Sequence, residues 1–310
     1  MLTQIRGLHH VTALAGDAQR NSDFFTRVLG LRRVKKTVNF DAPEVYHLYY
    51  ADGAGTPGTV MTYFPFPGIA RGRPGVGEAG ITDFAVPPGA LGYWRAHLAR
   101  HGATGLRADT AFGEDRLHLD GPDGEGLALV EVAGDPRTPW DGGGVPGDVA
   151  IRGFRGVRLR LRDGAATDDL LRFMGYQPLG RDGALSRHAL PGGNGADIVD
   201  LEILPDGRDA VQGAGSVHHV AFSVADRAAQ AAVRAALADT GHHITPVIDR
   251  DYFFSIYFRA PGGVLFEIAT DEPGFARDED QARLGQSLRL PAQHEHLRPW
   301  LERHLPPIVD

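Results

Sequence analysis

One order of elements, a strand, a helix and three further strands, recurs four times along the chain at ~60 to 75 residue spacing, and no other feature limits the fold as strongly. The first copy reads as a strand over Leu8–Leu14, then a helix over Asp17–Leu29 with Phe24, Phe25, Val28 and Leu29 on one face and Gly30 as its stop. Strands at Leu31–Phe40, Val45–Ala51 and Gly58–Phe64 follow, parted by Asp41-Ala42-Pro43 and Asp52-Gly53-Ala54-Gly55. The second copy holds Ile81–Val86, a helix over Gly89–His101, and strands at Arg107–Phe112, Glu114–Leu119 and Gly126–Val132. In the third, Gly153–Leu161 precedes a helix over Ala165–Met174 and three strands within Tyr176–Ile203. The fourth starts at Val217 and continues with a helix over Asp226–Asp239 and strands at Ile244–Arg250, Tyr252–Arg259 and Val264–Thr270. Four tandem βαβββ modules predict an α+β fold in two halves, with cupped mixed or antiparallel sheets. The halves are expected at 1–135 and 151–270, joined by a Gly-, Pro- and Asp-rich linker at 136–150, with a charged tail, 271–310, packing on the body.

The repeat extends to chemistry. Leu8-His9-His10-Val11 in the first module returns as Val217-His218-His219-Val220 in the fourth, and Glu267 lies within the apolar run Val264-Leu265-Phe266-Glu267-Ile268-Ala269. A carboxylate inside such a run is costly unless paired or bound to metal. Alternate residues of a strand share a face, so strict alternation allows one His of each pair as a ligand. His10 and His219 are the better choices, because they share a face with Thr12 and with Ala221 and Ser223, while their neighbours' faces carry Val11, Val220 and Phe222. Two imidazoles and one carboxylate, His10, His219 and Glu267, form the ligand set that leaves open positions on Fe(II). Mn(II) accepts the same donors.

Two residues outside this trio are candidates for substrate chemistry. The turn at Pro261-Gly262-Gly263 sets Tyr257 about opposite Glu267, where a phenol can donate to a developing oxygen anion, and Arg250 can hold an anionic substrate. Glu131 and Glu202 occupy the place of Glu267 in modules two and three, but no His precedes them there, so they are expected to be solvated or ion-paired. His97, His101, His242 and His243 fall on or just after helices and are expected to be solvated, and His47 has no counterpart in another module. Arg71–Gly77 lacks a Walker pattern and reads as a connector.

Composition closes other routes. The 310 residues contain no Cys, which removes thiolate catalysis and Cys-based metal sites. With 42% hydrophobic and 23% charged residues, no run reaches the ~20 apolar positions of a membrane span. A net charge of -7 and no basic stripe argue against nucleic acid as a partner. The opening Met1–Arg6 has no secretory pattern, so a cytoplasmic location is expected, and a homo-oligomer stays open.

Taken with Tyr46–Asp52, Gly55–Thr62, Ser255–Phe258 and Pro261–Asp271, these motifs resemble the vicinal oxygen chelate superfamily (glyoxalase, bleomycin resistance and extradiol dioxygenase), and within it the hydroquinone-type ring-cleaving dioxygenases. The likeness covers residues 5 to 290. It implies Fe(II) on His10, His219 and Glu267, substrate or supporting roles for His9, Thr12, His218, Arg250 and Tyr257, and a small aromatic diol with O2 as reactants. For His9 and His218 to face the same pocket as their neighbours, each strand would need a twist or bulge. Two other functions fit the scaffold: a metal-dependent glyoxalase-type isomerase or lyase, with Met61 standing where a fourth carboxylate ligand would be sought, and a ligand-sequestering resistance protein without turnover.

Overall fold

The computed structural model describes residues 1–309. Module one contains β1 (Ile5–Ala15), α1 (Ala18–Asp23), β2 (Arg32–Asn39), β3 (Ala42–Ala51) and β4 (Val60–Pro65). Module two contains β5 (Glu78–Val86), α2 (Leu91–Arg100), β6 (Arg107–Ala111), β7 (Glu114–Asp120) and β8 (Gly126–Glu131). In module three these are β9 (Gly153–Leu161), α3 (Ala165–Phe173), β10 (Gln177–Asp182), β11 (Leu185–Ala189) and β12 (Ile198–Ile203), and in module four β13 (Val217–Val224), α4 (Arg227–Asp239), β14 (Ile248–Asp249), β15 (Phe253–Arg259) and β16 (Leu265–Pro273). The four predicted βαβββ modules are all present.

Two curled eight-stranded sheets result, with orders β14-β15-β16-β13-β1-β4-β3-β2 and β10-β11-β12-β9-β5-β8-β7-β6. Each sheet takes one module from each half of the sequence. The central pairs β1–β13 and β5–β9 are antiparallel, and within each module the first and last strands run parallel, as in β1–β4 and β13–β16. Alternate strand residues such as Leu8, Phe84, Phe154 and Val220 build one large apolar core, fully excluded from water. The connectors between modules one and two and between three and four pair with each other, Arg71 with Ala214 and Arg73 with Val211.

Local chemistry sets the element ends. Asp17 caps α1 by accepting from the Arg20 N–H at 2.7 Å, and Asp226 caps α4 from the Ala229 N–H at 2.8 Å. The helix predicted to continue to Leu29 instead widens into a π-helical turn over Phe24–Val28, which brings Phe25 onto Tyr50 and Tyr63. The strand predicted over Ile244–Arg250 shrinks to Ile248–Asp249, because Pro246 has no N–H for the ladder and Thr245 joins Tyr257 through its own N–H and hydroxyl. His97, expected in solvent, is buried and bonds the Val28 carbonyl at 2.9 Å.

The tail lies against the first sheet. Its last helix, α5 (Arg298–His304), buries Leu301, while Phe275 and Leu284 join Val34, Tyr49 and Phe253 in a small second core. Lys35, wholly buried on β2, is 2.6 Å from Asp278 and 2.5 Å from Glu279. No described helix is long and apolar enough to cross a membrane.

Candidate metal centre and active-site pocket

The site forms where β1 and β13 meet. His10 pairs with Ala221 although Leu8 pairs with Phe222, so β1 carries one extra residue at the His pair. β13 repeats this, since Thr12 pairs with His219 and Ala13 with Val217. Leu8 and Val11 therefore both enter the core despite their odd spacing, and on β13 Val220 enters it while the half-buried Val217 packs against it. Two facing bulges thus turn both imidazoles of each pair away from the core, which strict alternation does not allow and which the resemblance required.

His10 Nε2 and His219 Nε2 are 3.2 Å apart, and Glu267 Oε2 lies 3.3 Å from the first and 2.9 Å from the second. All three side chains are buried. Close as the nitrogens are, Glu267 Oε2 makes no hydrogen bond of normal geometry, while Oε1 is held by the Ser255 hydroxyl. A buried carboxylate oxygen without a hydrogen bond, facing two imidazole nitrogens, is what a cation would complete. Among the described residues this is the grouping whose ligand atoms lie within 4.8 Å of one another. Burial pushes the Glu267 carboxyl up, but the two imidazoles more than offset it and hold the group well below its usual range.

The outer histidines fix the inner ones. His9 Nδ1 is 2.9 Å from His10 Nδ1, and His218 Nδ1 is 2.8 Å from His219 Nδ1. If each inner Nε2 keeps its lone pair for a metal, its proton sits on Nδ1 and is donated to the outer ring, which then carries its own proton on Nε2. Burial, aided by the neighbouring imidazole, lowers His9 to about 3 and His218 to about 4, so both are neutral near pH 7.

A pocket of about 320 Å³ opens over the trio, walled by Phe40, Phe64, Phe66, Phe253, Leu14 and Leu265. His218, Tyr257 and Arg250 line it, whereas His9 stacks behind on Phe253 and Thr12 is buried, its hydroxyl 3.1 Å from that of Thr62. Tyr257 pairs across the ladder with Glu267, and Arg250 Nε donates to its hydroxyl at 3.3 Å. Burial and the Glu267 charge raise Tyr257, opposed by Arg250, so the phenol keeps its proton. For Arg250, burial is outweighed by Tyr257, Asp41 and Glu267, which raise its pKa, and Asp41 sits 3.0 Å from the guanidinium.

His47 and Tyr49 also line the pocket. Sequence reasoning set His47 aside for want of a repeat partner and did not consider Tyr49. The signal was there: in Tyr46-His47-Leu48-Tyr49-Tyr50, residues 46, 48 and 50 go to the core, so 47 and 49 must face the cup. In modules two and three, Glu131 accepts from the Leu91 N–H at the start of α2 and Glu202 pairs with Arg160 at 3.2 Å. Neither belongs to a metal-ligand grouping.

Two facing βαβββ modules around a His, His, carboxylate trio define a class, and comparison with known proteins agrees: the model of the Glyoxalase/Bleomycin resistance protein/Dioxygenase superfamily matches residues 7–129. The chain belongs to this superfamily, whose members are metal-dependent. Within it, the chain falls in the ring-cleaving dioxygenase branch. MhqO of Bacillus subtilis, assigned as a ring-cleaving dioxygenase, is 42% identical over 308 residues, covering 99% of this chain and 98% of its own. The chlorohydroquinone/hydroquinone 1,2-dioxygenase of Sphingobium indicum is 38% identical over 317 residues, at 99% and 98% coverage. A crystal structure of a Bacillus subtilis protein assigned as a dioxygenase superposes with a TM-score of 0.95 at 41% identity, covering 99% of this chain and 98% of that one. Glyoxalase I from Zea mays shares the fold, with a TM-score of 0.62 at 15% identity, covering 86% of this chain and 92% of its own.

Proposed function

We propose that the protein is an Fe(II)-dependent dioxygenase that opens hydroquinone-like rings, with Mn(II) served by the same donors and catechol-like rings as the neighbouring substrate class. The observation that carries this reading is the convergence of His10 Nε2, His219 Nε2 and the orphaned Glu267 Oε2 on the floor of an aromatic-walled pocket. His10, His219 and Glu267 would hold the metal, which would supply a Lewis acid for a substrate hydroxyl and the redox chemistry for dioxygen. A para-diol needs only one oxygen at that point.

The chain's own groups do the rest. Phe64 and Phe253 wall the pocket and exclude water from a bound ring, and His218, which also lines it, is a donor through Nε2–H in the tautomer that frees His219 for a metal. Tyr257, kept protonated and aimed by Arg250, donates to negative charge that develops on a reacting oxygen. Arg250 already pairs with Asp41, which weakens its pull on an anionic substrate and suits an uncharged diol. Thr12, bonded to Thr62, supports the wall from behind. A glyoxalase-type isomerase would take a fourth protein ligand, yet Met61 lies in the main core and Thr62 faces the cup in its place.

The test is anaerobic reconstitution with Fe(II), followed by oxygen uptake on substituted hydroquinones and catechols. Stoichiometric uptake with loss of the aromatic absorbance is expected, and binding of Zn or Ni with isomerase activity and no uptake would overturn the reading. In Glu267→Gln, which keeps the shape and loses the charge, loss of metal and turnover with unchanged circular dichroism is expected. Normal metal content in that variant removes Glu267 from the ligand set.

A further inference from the structure

The ligand geometry leaves one step without an agent. A diol that binds through an ionised oxygen gives up a proton, but the tautomers that free His10 and His219 for a metal make His9 and His218 donors, and Tyr257 is a donor as well. We propose that Tyr49 and His47 act as a dyad that takes this proton. The inference rests on the ring-cleavage reading above.

Tyr49 and His47 both line the pocket, on the strand facing β4. The Tyr49 hydroxyl is 2.8 Å from His47 Nδ1, and His47 Nε2 is 2.6 Å from Thr62 Oγ1. Thr62 Oγ1 is in turn 3.1 Å from Thr12 Oγ1, so the chain Tyr49, His47, Thr62, Thr12 is continuous. The His47 ring packs 4.0 Å from that of Tyr49 and 4.2 Å from that of Phe64, which fixes its plane. Hydroxyl groups at both ends can each donate or accept, so His47 finds partners for both nitrogens whether neutral or protonated.

Before transfer, Tyr49 O–H donates to the Nδ1 lone pair and the Nε2–H donates to Thr62. As the diol oxygen approaches Tyr49, its O–H bond breaks and that proton binds the Tyr49 oxygen, while Tyr49's own proton passes to His47 Nδ1. The diol oxygen keeps the bonding pair. The products are a phenolate and an imidazolium whose two N–H groups donate to Tyr49 and Thr62. At rest His47 is neutral, since burial presses its pKa well below the ordinary imidazole value. It is thus empty when the diol arrives, and the new phenolate compensates the charge it gains.

Proton release answers the question directly. Methylhydroquinone is mixed without oxygen with Fe(II)-loaded protein in weak buffer containing a pH indicator. Wild type is expected to retain the proton, whereas Tyr49→Phe and His47→Asn release close to one proton per bound diol. In the same variants kcat is expected to fall ~100-fold or more at unchanged iron content, with the acid limb of the pH profile displaced. Equal proton release in wild type and Tyr49→Phe, a substitution that keeps the ring, overturns the dyad. Wild type that binds no diol and takes up no oxygen overturns instead the ring-cleavage reading.

Discussion

At the scale of single residues, each polar group that lines the pocket is held by a named partner. Tyr257 illustrates how little is needed: one hydroxyl, held by Arg250 at 3.3 Å and kept protonated by burial and the nearby Glu267. If this donor bonds more strongly in the transition state than in the ground state, Tyr257→Phe lowers kcat and kcat/KM together by ten- to a thousandfold, about 1.4 to 4 kcal/mol, without loss of metal. Oxygen uptake by iron-matched wild type and variant measures it, and equal kcat values take Tyr257 out of the mechanism. Much at this scale was legible in the sequence, since the His-His-Val copies and the lone Glu267 marked the trio that the structure gathers. His47 and Tyr49 were passed over although alternation marks both for the cup, because repeat logic rewards a histidine with a histidine counterpart and His47 has none, while Tyr49 occupies in module one the place of Tyr257 in module four.

At the scale of elements, the bulges decide the outcome. Periodicity anticipated the strands but not the extra residue in β1 and β13, since a bulge obeys local backbone geometry and leaves no mark in alternation. Gly7 lies at a separate register shift just before the first one, between Ile5 and Leu8: its φ of +116 suits glycine, and a Cβ there would lie 2.3 Å from the Asn194 side-chain oxygen. Asn194 also donates to the Leu8 carbonyl at 2.8 Å, tying module three to the His9-His10 strand. Gly7→Ala is therefore expected to cost on the order of 2 kcal/mol in unfolding free energy and to weaken metal affinity, because the strained strand carries a ligand. Chemical denaturation and metal titration check both, and unchanged values would mean that the strand adjusts elsewhere. The short β14 teaches a similar lesson, for Pro246 and Thr245 outweigh the β-branched composition around them.

At the scale of the whole molecule, two buried charged groups hold distant parts together. Lys35 of module one pairs with Asp278 and Glu279 of the tail, so Lys35→Met leaves the buried Glu279 to the more distant Arg289, 3.4 Å away, and should cost on the order of 3 kcal/mol, read as a lower thermal midpoint. Glu125, in the turn between β7 and β8, accepts from Tyr63 of the first sheet at 3.0 Å, and burial raises its pKa to about 7. Between its ordinary value near 4.5 and about 7 the folded protein binds more protons at this group than the unfolded chain, so its contribution to stability falls as pH rises through that window. Glu125→Gln should abolish that fall, a difference on the order of 3 kcal/mol at pH 8, and a pH series of denaturant midpoints tests it. Which modules share a sheet was legible only through chemistry: each module's pattern is compatible with either neighbour, but a trio drawn from modules one and four requires those two to meet.

That sharing has a further consequence for how the protein comes into being. His10 and His219 are 209 positions apart, and they meet only through the pairing of β1 with β13. While the chain is being made from its N-terminus, β1 waits as a bare sheet edge, its histidines already synthesised but without their partners. Glu267 comes later still, on β16, the last strand of the last module. No part of the growing chain can therefore gather His10, His219 and Glu267 early, and an ion taken up there would mark finished synthesis and correct closure of the first sheet.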